Sequence, residues 1–152
     1  MSDVTAPSIK SNATLIGSID LNHHNSIPLF IHTLSAGTPC PASDDIDRMV
    51  DLNKLCVKHP TDTVLYRTGG QSMKDKGIFD GDLLVVDKSI EPRSGLIVAA
   101  DYFGETLVKE LLIDDDGVTL IPHNRDFEDL LIECPEYFKI VGVVTWVLSR
   151  RF

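Results

Sequence analysis

The chain of 152 residues is short of cysteine, of positive charge and of long apolar runs, and each shortage removes a class of protein. Its three cysteines, Cys40, Cys56 and Cys134, are an odd number without CxxC spacing, so neither a disulfide framework nor a zinc site follows. Lys and Arg total 14 against 23 Asp and Glu, a formal charge of −9. Gripping a phosphate backbone needs clustered cations, so protein partners are expected and direct nucleic-acid binding is not. The apolar stretch 140–148 falls well short of the ~20 residues a membrane helix needs, and no basic start followed by an unbroken apolar run opens the chain. The expectation is a cytoplasmic protein with no membrane attachment. No glycine-rich phosphate loop, His-Glu metal motif, fixed-period repeat or low-complexity tract occurs, and no cofactor or metal is expected.

What is present falls into two textures. Residues 1 to about 62 are rich in Ser, Thr, Pro, Asn and Asp with scattered apolar residues, and read as an arm. Only 27–34 (IPLFIHTL, a strand) and 51–57 (DLNKLCV, a helical turn ended by Pro60) look structured there. From Val64 onward, short β-branched runs alternate with turn signals such as Asp80-Gly81 and Asp116-Gly117. Six strands are expected, at 64–67, 82–87, 95–103, 105–113, 117–123 and 138–150. Short, even spacing of this kind implies antiparallel pairing and a mainly β domain.

The stretch TGGQSMKDKG, 68–77, raises the chemical question. Ser72 followed by Asp75 imitates a capping box at the start of a short helix, and the residues alone favour that bland reading. A nucleophilic serine also needs a tight turn, which Gly69-Gly70 supplies, and it needs a base. The histidines offer little: His23, His24 and His32 lie in the arm, His59 precedes Pro60, and His123 follows Pro122 at a strand end. A lysine serves instead if burial lowers its pKa. Lys109 sits mid-strand with Leu107 and Leu111 on its own face, but Glu110 charges the other face too, so periodicity leaves it either buried or facing solvent. Other features read as structural: Cys56 as a small buried residue rather than half of a Cys-His pair with His59, Asp44, Asp45 and Asp47 as solvated carboxylates, and Trp146 as core or interface bulk.

With these residues in place, the sequence resembles the self-cleaving Ser-Lys family of LexA and UmuD, and most closely its UmuD-like mutagenesis members. The resemblance runs from about Pro28 to the C-terminus through PLF (28–30), Ala36-Gly37 with Pro39 and Pro41-Ala42 after it, DLNKLCVKHP (51–60), GQSM (70–73), GIFDGDLLVVD (77–87) and TLVKEL (106–111). The intervals agree as well, 72 − 36 = 36 residues from Ala36 to Ser72 and 109 − 72 = 37 from Ser72 to Lys109. The resemblance implies a LexA/UmuD-like catalytic β domain with a mobile N-terminal arm: 1–36 removed by self-cleavage, 37–62 a linker, and 63–152 the catalytic and dimerisation domain. It implies Ser72 as nucleophile, Lys109 as general base, Ala36-Gly37 as the bond cut, and the backbone N–H groups of Ser72 and Gln71 as oxyanion donors. It implies a homodimer, cleavage promoted by a RecA filament on single-stranded DNA, and a processed form that joins a UmuC-like Y-family polymerase in error-prone synthesis during the SOS response. The 36 polar residues before the bond lack the helical periodicity of the DNA-binding module of LexA-type repressors, so a repressor of that design is not expected, nor is a membrane-anchored signal peptidase, which shares the Ser-Lys pair. The competing expectation is a non-enzymatic dimeric module that binds a polymerase or a repressor.

Overall fold

The computed structural model describes residues 5–20, 22, 24–30 and 46–151. Among these residues, ten strands and one short α-helix follow in the order β1 Ala13–Ser18, β2 Ser26–Phe30, β3 Ile46–Asp51, α1 Leu52–Cys56, β4 Thr63–Thr68, β5 Leu83–Asp87, β6 Ile97–Tyr102, β7 Glu105–Asp114, β8 Gly117–Ile121, β9 Leu130–Leu131 and β10 Phe138–Leu148. The six expected strands are β4 to β8 and β10. The protein is mainly β.

Eight strands form one antiparallel sheet in the order β1-β4-β5-β10-β6-β7-β8-β9, and β2 pairs with β3 as a separate two-stranded sheet. The last strand therefore lies in the middle of the sheet, between β5 and β6. Gly142 permits that insertion, since a Cβ there would stand 2.7 Å from the Asp87 carbonyl oxygen and 2.9 Å from Val86 Cγ1. The short helix is capped by Asp51, whose carboxylate accepts from the Asn53 N–H at 2.9 Å.

Both faces of β6 and β7 are covered. Val98, Ala100 and Tyr102 join Leu107, Leu111, Leu120, Ile132 and Val143 in one apolar cluster. Ala99 and Val108 face the other way, packing with Ala13, Tyr66, Met73, Ile78, Leu84 and Val86. Strands buried on both faces read as nearly continuous apolar runs, and LIVAA in 96–100 is one.

Two strands that the sequence reading does not anticipate, β1 and β3, come from the segment read as an arm, and β1 joins the main sheet. The stretch ATLIGS (13–18) pairs antiparallel with β4, from Ala13 opposite Thr68 to Ser18 opposite Val64, with an irregularity between Leu15 and Gly17. Just before it, the Asn12 N–H donates to the Thr106 carbonyl of β7 at 3.0 Å. The sheet thus curls until the chain leading into β1 touches both β4 and β7. That curl places the turn after β4 against the middle of β7.

Candidate active site

Ser72 stands four residues past the end of β4, on a turn held from several sides. Gly70 takes φ +76°, a left-handed conformation that costs most other residues about 1–2 kcal/mol, and its N–H donates to Asp80 Oδ1 at 2.8 Å. Met73, immediately after the serine, is buried in the core and anchors the turn from within. A 3-10 turn at Lys74–Lys76 follows, closed by Gly77 at φ +75°.

The expected capping box is absent. Residue Met73, not Ser72, occupies the capping position, no side chain caps the turn, and the Asp75 N–H donates instead to the His123 carbonyl at 2.9 Å. The Ser72 hydroxyl is committed elsewhere. Its oxygen lies 2.7 Å from Lys109 Nζ and 3.0 Å from Asn12 Nδ2.

Lys109 projects from the middle of β7 and is buried, 8% exposed, as is Ser72 at 3%. The alternative of a solvent-facing Lys109 is excluded. Among the described residues its amine reaches only Ser72 Oγ and, at 3.2 Å, the Val108 carbonyl, with no hydrogen bond or ion pair to a carboxylate. Removal from water without a compensating anion disfavours the ammonium, and burial pushes the Lys109 pKa from 10.5 down to about 8. A neutral amine against a serine hydroxyl can take its proton.

The segment after β8 fixes the backbone around the serine. Asn124, itself buried, donates from Nδ2 to the Gln71 carbonyl at 2.9 Å, and the His123 N–H donates to the Ser72 carbonyl at 2.8 Å. In a planar trans peptide the N–H points opposite to its C=O. Pinning the Gln71 carbonyl therefore turns the Ser72 N–H away from Asn124, and pinning the Ser72 carbonyl does the same for Met73. His123 is held in turn through Nε2, 2.7 Å from Glu110 Oε2, which also meets Lys76 Nζ at 3.2 Å. Burial alone would raise the Glu110 carboxyl, but hydrogen bonds from Lys76 and His123 leave it below the usual range.

Two spaces flank the dyad. On one side, between Asn12, Gly69, Gly70, Met73 and Val108, the gap is about 10 Å³, one water at most. On the other, a cleft of about 440 Å³ opens onto both Ser72 and Lys109 between residues 8–12 and 127–130. Of the two, only the second has room for an extended peptide.

A buried Ser-Lys pair at the edge of an open cleft is the equipment of a peptidase, and the family comparison agrees. Residues 28–145 match the model of the Peptidase S24-like family. The chain belongs to that family. It is 40% identical to Protein SamA of Salmonella typhimurium over 126 residues, covering 83% of this chain and 87% of SamA. Protein MucA of Escherichia coli is 41% identical over 128 residues, covering 84% and 87% of the two chains. The LexA repressor of Xylella fastidiosa is 37% identical over 115 residues, 76% of this chain but 54% of the repressor. This S24-like chain is a UmuD-like, self-cleaving serine peptidase of SOS mutagenesis.

Among the site residues expected from sequence, Ser72 and Lys109 meet directly, and Gln71 contributes its pinned carbonyl. Ala36 and Gly37, like Cys40, His23, His32, Asp44 and Asp45, lie outside the described residues. No group of three or more metal-ligating side chains is found among the described residues. Trp146 is not core, since it is 40% exposed near the end of β10. Asn12 and Asn124 escaped the sequence reading: each sits in a polar stretch without periodicity, and only the paired strands bring them to the serine.

Proposed function

We propose that this S24-like peptidase cuts its own Ala36-Gly37 bond with Ser72 as nucleophile and Lys109 as general base. The observation that carries the assignment is the 2.7 Å approach of Lys109 Nζ to Ser72 Oγ inside a buried site that pushes the lysine pKa to about 8. The neutral amine takes the hydroxyl proton as Oγ attacks the Ala36 carbonyl carbon, and the carbonyl π electrons move to its oxygen. The N–H of Ser72, oriented through the Gln71 carbonyl, donates to that oxyanion, with the Gln71 N–H as the second donor. Collapse breaks the C–N bond, the Lys109 ammonium returns the proton to the Gly37 nitrogen, and water then hydrolyses the Ser72 ester with Lys109 again as base.

The expected bond falls in the connection between β2 and β3. RecA filaments on single-stranded DNA promote the cut, in keeping with the similarity to SamA, MucA and LexA. Residues 37–152 then serve, as a cytoplasmic homodimer, a UmuC-like Y-family polymerase in error-prone synthesis. Exposed Trp146 and Leu148 on β10 are apolar surface of the kind a second copy covers.

Intact-mass spectrometry after incubation with RecA, nucleotide and single-stranded DNA tests the reading. The expected result is a break after Ala36 in the parent chain and none in Ser72→Ala or Lys109→Ala. Normal processing of either variant overturns the assignment, and an intact parent chain favours a binding module without peptidase activity.

A further inference from the structure

The hydroxyl oxygen of Ser72 has a second polar neighbour that the two-residue mechanism leaves unused. Asn12 Nδ2 lies 3.0 Å from it, on a residue 60 positions earlier in the chain. We propose that Asn12 is a third catalytic residue of the site, whose side-chain amide donates to Ser72 Oγ, turns the hydroxyl proton toward Lys109 and steadies the oxygen as that proton leaves. The inference rests on Ser72 being the nucleophile.

The amide orientation follows from the backbone it grips. The Val108 N–H donates to Asn12 Oδ1 at 2.6 Å, so the NH₂ end must be the one facing the Val108 carbonyl, at 3.1 Å, and Ser72 Oγ. Both amide hydrogens then have acceptors, and the side chain has no second pose. The backbone is fixed too: Asn12 N–H to Thr106 O at 3.0 Å, Gly69 N–H to Asn12 O at 2.7 Å. Ser11 adds its N–H to Glu105 Oε2 and accepts the Thr106 N–H on its hydroxyl, each at 2.9 Å.

A serine oxygen has one hydrogen and two lone pairs. With Asn12 donating into one lone pair and the hydrogen directed at the neutral Lys109 amine, one lone pair is left to attack from the open cleft. Asn12 forms a wall of that cleft rather than its plug, because the cleft opens onto Ser72 and Lys109 past it. As charge gathers on Oγ, the Asn12 hydrogen bond strengthens; a charge-assisted bond is worth about 10- to 100-fold in rate.

The test compares RecA-independent self-cleavage of full-length Asn12→Ala, Asn12→Asp, Ser72→Ala and parent chains between pH 7 and 10, with labelling of Ser72 by a fluorophosphonate as a second readout. Asn12→Ala is expected to cut and label about 10- to 100-fold more slowly. Asn12→Asp keeps the acceptor for the Val108 N–H, and so the docking of the segment, but loses the donor and places a carboxylate beside the lysine. It should be slow, with the pH midpoint of cleavage moved upward, which a residue that merely anchors β1 would not do. Rates within twofold of the parent in Asn12→Asp, with an unmoved midpoint, overturn the proposal, as does faster cleavage by Asn12→Ala. If Ser72→Ala still cuts, the nucleophile assignment itself fails; if it does not cut while both Asn12 variants do so normally, only the role of Asn12 falls.

Discussion

Replacing Lys109 by Met should make the domain more stable at neutral pH, by an amount that shrinks as pH rises. Lysine and methionine have similar reach, and Leu107 lines the same cleft beside residue 109, so methionine fits without a large cavity. The folded-state pKa of about 8 lies below the ordinary 10.5, so between these values the unfolded chain binds more protons than the folded one. Stability from this group therefore rises with pH across that window, and the full penalty is present below about 8. At about 1.4 kcal/mol per pH unit, the penalty at pH 7 is about 3 kcal/mol. By pH 9.5 about 1 kcal/mol remains, so the advantage of methionine should fall by about 2 kcal/mol.

Urea unfolding of Ser72→Ala/Lys109→Met against Ser72→Ala measures this without self-cleavage, and the serine change leaves no orphaned hydroxyl. The difference between the two chains cancels every other titration they share, including Tyr66 and Tyr102, whose pKa values burial raises. Any packing change on introducing methionine adds a constant. The slope with pH is thus the diagnostic quantity: a gap that stays constant from pH 7 to 9.5 refutes the claim that Lys109 is held near neutrality by burial.

Two further outcomes follow from the same geometry. Spontaneous self-cleavage should rise about tenfold per pH unit below pH 8 and level off above it, since only the neutral amine accepts the Ser72 proton; a rate flat from pH 7 to 10, followed by gel or mass, removes Lys109 as the base. Gly142→Ala should destabilise the fold by about 1–3 kcal/mol, because its methyl meets the backbone of β5 at 2.7 Å and cannot move aside. Unchanged urea midpoints would show that β10 is held less closely to β5 than the register implies.

The strands of the C-terminal part were legible because each carries its own signal: β-branched runs such as LLVVD in β5, ended by Gly-containing turns. Their order in the sheet was not. Nothing local in FKIVGVVTWVL announces that it inserts between β5 and β6, since that depends on pairings across many residues and on the missing side chain of Gly142. Lys109 shows the same limit from the other side. Its neighbours Leu107 and Leu111 marked its face as apolar, yet Glu110 on the opposite face read equally as apolar surface interrupted by charge; only the covering of both faces of β7 decides. The family resemblance supplied Ser72 and Lys109 by motif and interval, and geometry then replaced the helix cap that SMKD suggests with a hydroxyl bonded to an amine. Asn12 lay beyond either route. It precedes the stretch that carries the resemblance, and its polar setting gave no period to follow.

That position has a consequence for the enzyme. A cut after Ala36 severs residues 1–36, and with them β1 and Asn12, from the rest of the chain. With Asn12 readying Ser72 as proposed, that group is then no longer covalently tied to the site it serves, and the reaction weakens the machinery that performed it. A peptidase whose substrate is its own arm needs to act once, and a base that is mostly protonated near pH 7 keeps even that one event slow. At a pKa of about 8 roughly one lysine in ten is neutral at pH 7, against about one in 3,000 at the ordinary value. Burial thus raises the competent fraction some 300-fold while stopping short of full activation. The remaining tenfold is open to any partner that further desolvates the amine by seating the arm in the cleft over Lys109.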